Sequence, residues 1–216
     1  MRKLTLFALS GVFALLSSCS NDDNQDSVDL ILAEEEINQE VVNQLLSEEE
    51  ITDLLFLREE EKLARDVYLF SFEKYGDSIF NSIASSEQSH MDSVLTLLNL
   101  YQIPDPAATE RGVFTDQVLQ NLYNDLIELS TISIDEALKV GALIEDLDIN
   151  DLDELQNSTT NEQISSVCEM LECGSRNHLR SFSNKLELIN FNYSPVYISI
   201  EDYNEIVTTS IEFCGS

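Results

Sequence analysis

Glu87 and His90 form a Glu-x-x-His pair, which is the clearest metal-binding pattern in the chain. On an α-helix this spacing places a carboxylate and an imidazole on one face, a turn apart, where both can bind the same metal ion. The pair interrupts an apolar stripe, and a buried charge needs a partner or a metal ion. The other members of the stripe are Ile83, Val94, Leu97 and Tyr101. A single pair leaves open a simpler alternative, in which a core histidine only hydrogen-bonds its neighbour.

A carboxylate on the preceding predicted helix falls at the same depth as this pair. Glu61 and the Glu87–His90 pair lie at similar distances along the chain from a turn at Gly76. Because the rise per residue of an α-helix is constant, a helical hairpin brings the three side chains to one height. By helical phase, Glu61 faces the core, whereas its neighbours Glu59 and Glu60 point away.

A second predicted hairpin, with its turn at 157–161, repeats this arrangement. Glu145 and Asp148 lie on the core face of the helix before the turn, and His178 lies in the apolar stripe of the helix after it. His90 and His178 are the two histidines of the chain, and both fall on apolar faces at matching depth.

Antiparallel packing of these four helices therefore predicts one polar layer inside a bundle. Its members are Glu61, Glu87, His90, Glu145, Asp148 and His178. Carboxylates and imidazoles in this number are the ligand set of a dinuclear iron or manganese site in a four-helix bundle. Two divalent cations balance the carboxylates, whereas burial of the same groups without metal would place like charges together.

The rest of the pattern predicts an all-α chain without strands. The predicted domain, residues 47–210, contains four bundle helices, an extra connecting helix and a short C-terminal helix. Caps and apolar periodicity place the helices at 47–75, 77–101, 116–129 (with Thr115 as the cap), 133–157, 162–189 and from Ser199 onward.

The first residues have the pattern of an exported lipoprotein. Arg2 and Lys3 precede a short apolar run that ends at Leu16-Ser17-Ser18-Cys19, which resembles a bacterial lipobox. We expect residues 1–19 to be a signal peptide, Cys19 to be lipidated and residues 20–46 to be an acidic tether. This predicts a cell-envelope protein, anchored to a bacterial outer membrane only through the lipid. The periplasmic and surface faces both stay open.

The charge balance limits the partners. The chain has 41 acidic and 11 basic residues, a net charge of −30. Such a field repels nucleic acid and anionic lipid surfaces, and it attracts cations. Metal ions are therefore the expected partners, nucleic acid is not, and a homodimer stays open.

Cysteine spacing favours one disulfide pairing. With Cys19 lipidated, Cys168, Cys173 and Cys214 remain, and an exported compartment permits a disulfide. Cys168 and Cys173 lie too far apart on one predicted helix for an unstrained bridge. Cys173 with Cys214 is the preferred pair.

Three segments carry a resemblance to a known family. They are Glu61–Tyr68, Ser86–Met91 and Gly174–Phe182, and Val140–Glu145 and Tyr197–Ser199 also fit. Together they resemble an uncharacterised ferritin-like family, domain of unknown function 2202, over roughly residues 50–205. The resemblance implies a ferritin-like bundle with a di-iron centre, and it implies no activity. Ferritin-like proteins usually carry a glutamate where this chain has Ser175. Asp148 is the candidate replacement for that carboxylate, and if it does not reach the site, the second metal ion is weakly bound or absent.

Two further residues lie near the predicted ligands. Tyr68 can be a redox-active or hydrogen-bonding phenol beside the site, or only a core aromatic residue. Arg65 can pair with a ligand carboxylate or with a surface acid. Three functions stay open: a di-iron protein that reacts with O2 or peroxide, a non-catalytic metal-binding protein, and a metal-free helical interaction module.

Overall fold

Six helices and no strand make up the part of the chain that the computed structural model describes, residues 46–215. The helices are α1 (Glu48–Tyr75), α2 (Ser78–Leu100), α3 (Gln117–Ser130), α4 (Ile134–Ser158), α5 (Glu162–Leu188) and α6 (Ile200–Thr208). The predicted all-α class is confirmed. The predictions for the signal peptide, for Cys19 and for the tether as far as residue 45 lie outside the described residues. No described helix has the length and apolar composition needed to cross a membrane.

Side-chain caps determine where these helices begin. At the start of α1, Ser47 Oγ accepts from Glu50 N at 3.1 Å and Glu50 Oε2 accepts from Ser47 N at 2.7 Å, which is a complete capping box. Gly76 ends α1 with φ of 72°, a conformation that disfavours other residues. Asp116 caps α3, so the prediction of Thr115 as that cap is wrong by one residue.

The four long helices form two antiparallel hairpins, α1 with α2 and α4 with α5. Helix α1 also packs on α4, and α2 packs on α5. Contacts at both ends of α1 show that it runs antiparallel to α4: Glu50 meets Thr159, and Tyr68 meets Gly141. Helix α3 packs against α1 and α4 and lies within the long connection from α2 to α4.

The connection before α3 covers the face of α1 that carries Glu59. Glu59 and Glu60 do not join the predicted polar layer, yet they are only 2% and 3% exposed. Glu59 accepts from the backbone N–H groups of Thr115 and Asp116 at 2.6 and 2.8 Å. Nearby, the buried Lys62 donates to Asp66 at 2.6 Å. This face is therefore a polar interface inside the protein rather than a solvated surface.

Two apolar clusters fill the bundle on either side of the polar layer. Representative members of the first cluster are Leu63, Val67, Phe80, Ile83, Leu179 and Phe182. Representative members of the second cluster are Leu54, Leu57, Val94, Leu97, Ile164 and Leu171. Since the apolar residues on both sides interdigitate, the two clusters fix the register in which polar side chains from four helices meet.

The C-terminal segment folds back onto α5. A disulfide joins Cys173 to Cys214, with Cα atoms 5.5 Å apart, which confirms the preferred pairing, and Cys168 is buried and free. Glu212 accepts from Arg176 at 2.7 Å and from Arg180 at 2.6 Å. These two guanidinium groups hold the pKa of Glu212 at about 2, below its usual range.

Replacing Glu212 with Gln removes this ion-pair network while the disulfide remains. The folded-state pKa of Glu212, about 2, lies below the ordinary value of 4.5. The stabilisation is therefore complete above pH 4.5, and it disappears as the pH falls through the folded-state pKa. We expect Glu212→Gln to lower the free energy of unfolding by about 1 kcal/mol at neutral pH, with little difference from wild type in strong acid. Urea unfolding followed by circular dichroism measures this. Glu128→Gln, on the exposed face of α3, is the control, and an equal loss in both variants would contradict the prediction.

Candidate metal centre

Five of the six predicted ligands meet in the polar layer between the two apolar clusters. Helix α1 supplies Glu61, α2 supplies Glu87 and His90, α4 supplies Glu145, and α5 supplies His178. Their exposed fractions range from 1% to 7%. The spacing of core residues along each helix, together with the two hairpins, accounts for their meeting.

These side chains form two groups that share one carboxylate. Glu61, Glu87 and His90 make the first group, and Glu87, Glu145 and His178 make the second. In each group one potential ligand atom per residue lies within 4.8 Å of the others. Both groups contain Glu87, whose two oxygens face different histidines. A carboxylate in this position can bridge two metal ions.

The distances within each group fit a common metal ion. His90 Nδ1 lies 2.9 Å from Glu87 Oε2 and 3.3 Å from Glu61 Oε2. His178 Nδ1 lies 2.8 Å from Glu87 Oε1 and 3.3 Å from Glu145 Oε2. Ligands bound to one ion at about 2.0–2.2 Å are themselves separated by roughly 3 Å in octahedral or tetrahedral geometry. Both groups have these separations.

Unpartnered oxygens in the layer also favour a cation. No N–H or O–H group of the described residues donates a hydrogen bond to Glu61 Oε1 or Asp148 Oδ1. A buried carboxylate oxygen without a donor costs on the order of 1–3 kcal/mol. Iron, manganese and zinc all accept carboxylate and imidazole ligands, so the donor set fits a divalent transition metal.

Neighbouring residues position the two imidazoles with Nδ1 toward the carboxylates. His178 Nε2 lies 2.9 Å from Ser86 Oγ, so the hydroxyl can accept from Nε2–H and leave Nδ1 free to bind metal. A Cβ atom at Gly174 would lie 2.5 Å from His90 Nε2, so glycine at this position makes room for the ring. The two rings stack with centroids 5.5 Å apart.

Charges within the layer shift the ionisation of each group. Burial raises the pKa of Glu61 to about 7. For His178, burial lowers the pKa, but the carboxylates of Glu87 and Glu145 outweigh it and raise the pKa to about 10. His178 and His90 together lower the pKa of Glu87 against the effect of burial. The layer thus balances its carboxylates with protons on the imidazoles, and metal binding must displace those protons.

Asp148, the sixth predicted ligand, lies outside both groups. It is 5% exposed and accepts a short hydrogen bond from Ser175 Oγ, while its other oxygen has no donor. Burial and the nearby Glu61 and Glu145 raise its pKa well above the usual range. Ser175 therefore faces Asp148 across the α4–α5 interface, at the place where the ferritin-like pattern has a glutamate.

The other two residues singled out from the sequence have different surroundings. The Tyr68 phenol donates to Glu145 Oε1 and lies 3.3 Å from the Gly141 carbonyl oxygen, so it holds a ligand carboxylate. Arg65 donates to Asp66 and Gln88 and contacts none of the predicted ligands through a hydrogen bond or ion pair.

Sequence reasoning missed two residues that shape the layer. Ser86, beside Glu87, binds the far side of His178, and Gly174 accommodates His90. Glycine inside a helix costs about 1 kcal/mol relative to alanine, so Gly174 in the core stripe one turn before His178 was a usable signal. Ser86 gave no comparable signal, because a serine on a helix is common.

Comparisons with known proteins agree with this fold and leave its activity open. Residues 50–210 match the family described as an uncharacterized protein domain, DUF2202. Uncharacterized protein MJ0754 of Methanocaldococcus jannaschii is 51% identical over 160 residues, which cover 74% of this chain and 86% of the relative. The crystal structure of hypothetical protein MJ0754 matches with a TM-score of 0.76 and covers 77% of this chain and 96% of that one.

The Ser175–Asp148 hydrogen bond predicts a clear difference between two serines. Ser175→Ala leaves a buried carboxylate without its donor, so we expect a loss of about 1–3 kcal/mol in the free energy of unfolding. Ser71 is equally buried, but its hydroxyl has no partner among the described residues, so Ser71→Ala should change stability little. Urea unfolding of the two variants at neutral pH compares them. Equal losses would mean that the Ser175 hydroxyl contributes nothing specific to Asp148.

Proposed function

We propose that this chain, which belongs to the DUF2202 family of uncharacterized protein domains, is a ferritin-like di-iron carboxylate protein. In this proposal its centre reacts with O2 or peroxide, either to oxidise iron or to remove peroxide. Lipidation at Cys19 would place the protein at the cell envelope, on the outer membrane. The four antiparallel long helices, with a long connection through α3, support the ferritin-like assignment.

The shared position of Glu87 is the observation that carries the proposal. One carboxylate lies between two carboxylate–histidine groups, and each group has its own terminal carboxylate, Glu61 or Glu145. A mononuclear site needs only one such group. The duplication across the two hairpins therefore favours two ions, of iron or of manganese, held by the same side chains.

The surrounding residues define what the protein contributes to the chemistry. Bound iron would supply one-electron redox chemistry toward O2 or peroxide. Glu87, His90 and His178 would hold the ions, and Tyr68 would orient Glu145 through its hydroxyl group. Ser86 would fix the tautomer of His178. The two apolar clusters would keep bulk water away from both ends of the layer.

A narrow groove beside the histidines supports a small substrate. It has a volume of about 350 Å³ and is lined on one side by Ser86, Ser89 and Ser93 of α2. His90 and His178 form its floor, and the C-terminal segment around Phe213 lies along it. The groove would give O2 or hydrogen peroxide a route to the two histidines.

A non-catalytic metal-binding protein is the second candidate. The net charge of −30 and the near-complete burial of the ligands favour capture and retention of cations. A metal-free interaction module is less consistent with the buried carboxylate oxygens that have no donor.

Oxidation of bound iron separates the two candidates. Purified protein is loaded anaerobically with Fe(II), mixed with O2 or peroxide, and followed by near-UV absorption and by consumption of the oxidant. We expect two irons per chain, oxidised faster than free Fe(II). Bound iron without accelerated oxidation would favour the metal-binding protein, and absence of bound iron would remove the di-iron proposal.

Charge-neutral variants test the shared role of Glu87. Glu87→Gln should reduce the bound metal from two ions per chain to none, because both groups lose a ligand. Glu61→Gln should reduce it to one, and His90→Ala should lower occupancy while the helical circular dichroism signal persists. Glu59→Gln changes a buried carboxylate outside both groups and should retain two ions. Metal analysis after gel filtration gives the stoichiometry, and unchanged binding in Glu87→Gln would end the assignment.

A further inference from the structure

An acidic groove lies between α1 and α4, apart from the groove that opens on the histidines. It has a volume of about 290 Å³, and four partly or fully exposed carboxylates line it. They belong to Glu49, Asp53, Asp151 and Glu154. No described residue that lines the groove is basic. Phe56, Leu57 and Leu155 form its apolar part, so the carboxylates face one another beside low-dielectric walls.

Glu60 forms the buried end of this groove. It is only 3% exposed, and neither of its carboxylate oxygens has a donor among the described residues. The carboxylate of Asp151 is its near neighbour, and Asn150 Nδ2 donates to Asp151 Oδ1 at 3.0 Å. Two facing carboxylates without a donor between them require a proton or a cation.

Glu60 also connects the groove with the polar layer of the bundle. It directly precedes the ligand Glu61 in the chain, and Asp148 is among the carboxylates that act on it. Asp148 and Asp151 lie three residues apart on α4, so their side chains share one face of that helix about a turn apart. The groove and the polar layer therefore adjoin along the interface of α1 and α4.

We propose that this groove binds a hydrated divalent cation through Glu60 and Asp151 and passes it on to the metal centre. Oxygen-only ligands with room for retained water suit Mn²⁺, Fe²⁺ and Mg²⁺, and they suit thiophilic metals poorly. Binding at the groove stands on its own residues, whereas the transfer step rests on the proposed di-metal centre. The exposed carboxylates collect cations, and Glu60 gives them a ligand at the buried end.

Counting bound Mn²⁺ tests the site independently of any activity. Free Mn²⁺ is measured by electron paramagnetic resonance during titration of the purified protein. We expect two ions at the centre and a third, weaker ion that Glu60→Gln and Asp151→Asn both remove. His178→Ala should lose ions from the centre and retain the groove ion. Glu128→Gln, outside both sites, should match wild type. The titration therefore tests the groove site and the metal centre independently of each other.

The rate of loading tests the transfer step. We expect Glu60→Gln to bind the same two ions at the centre at least tenfold more slowly than wild type at low Mn²⁺ concentration. Unchanged stoichiometry in Glu60→Gln and Asp151→Asn would overturn the groove site. Unchanged loading rate in Glu60→Gln would overturn its role in transfer.

Discussion

The burial of like-charged carboxylates in one layer is the constraint on which this structure depends. Glu61, Glu87 and Glu145 are each 1% exposed, and the protein must balance their charge without water. The Glu87 carboxylate has an imidazole on either side, His90 and His178. The Glu145 carboxylate accepts a hydrogen bond from the Tyr68 hydroxyl group. Removal of one partner from such a layer costs more than loss of an exposed ion pair, because an uncompensated buried charge remains. A fold that keeps this arrangement has buried Glu and His groups that could hold a metal ion.

The rest of the bundle holds the layer in register. Apolar clusters lie above and below it, and each of the four long helices contributes to both. Outside the bundle, a second set of buried polar contacts fastens the irregular segments to the helices. Lys62 binds the carbonyl oxygens of Glu110 and Val113, and Asp146 accepts from Tyr193 and from the backbone N–H of Ile198. Charged side chains thus serve two separate purposes, attachment of loops and formation of the centre.

Helical periodicity was enough to predict the all-α class, the hairpins and the meeting of five polar side chains, because those depend on local spacing. Helical periodicity did not predict burial where segments distant in the sequence cover a side chain. Glu59 and Glu60 were expected to point away from the core, and they do, but the connection before α3 and the facing α4 cover them. Likewise, phase alone placed Asp148 in the layer, and only the packing of α5 shows that Ser175 binds it. Long-range contacts of this kind leave no periodic signal in one sequence.

The Cys173–Cys214 bond has a consequence for the unfolded chain. It closes a loop of sequence separation 41. In the chain-entropy description, a cross-link of that span reduces the conformational freedom of the denatured ensemble by an amount equivalent to about 4 kcal/mol. A bundle with ionisable groups in its interior is less stable than one whose interior is entirely apolar. The disulfide offsets this loss by lowering the conformational entropy of the unfolded chain, which makes unfolding less favourable.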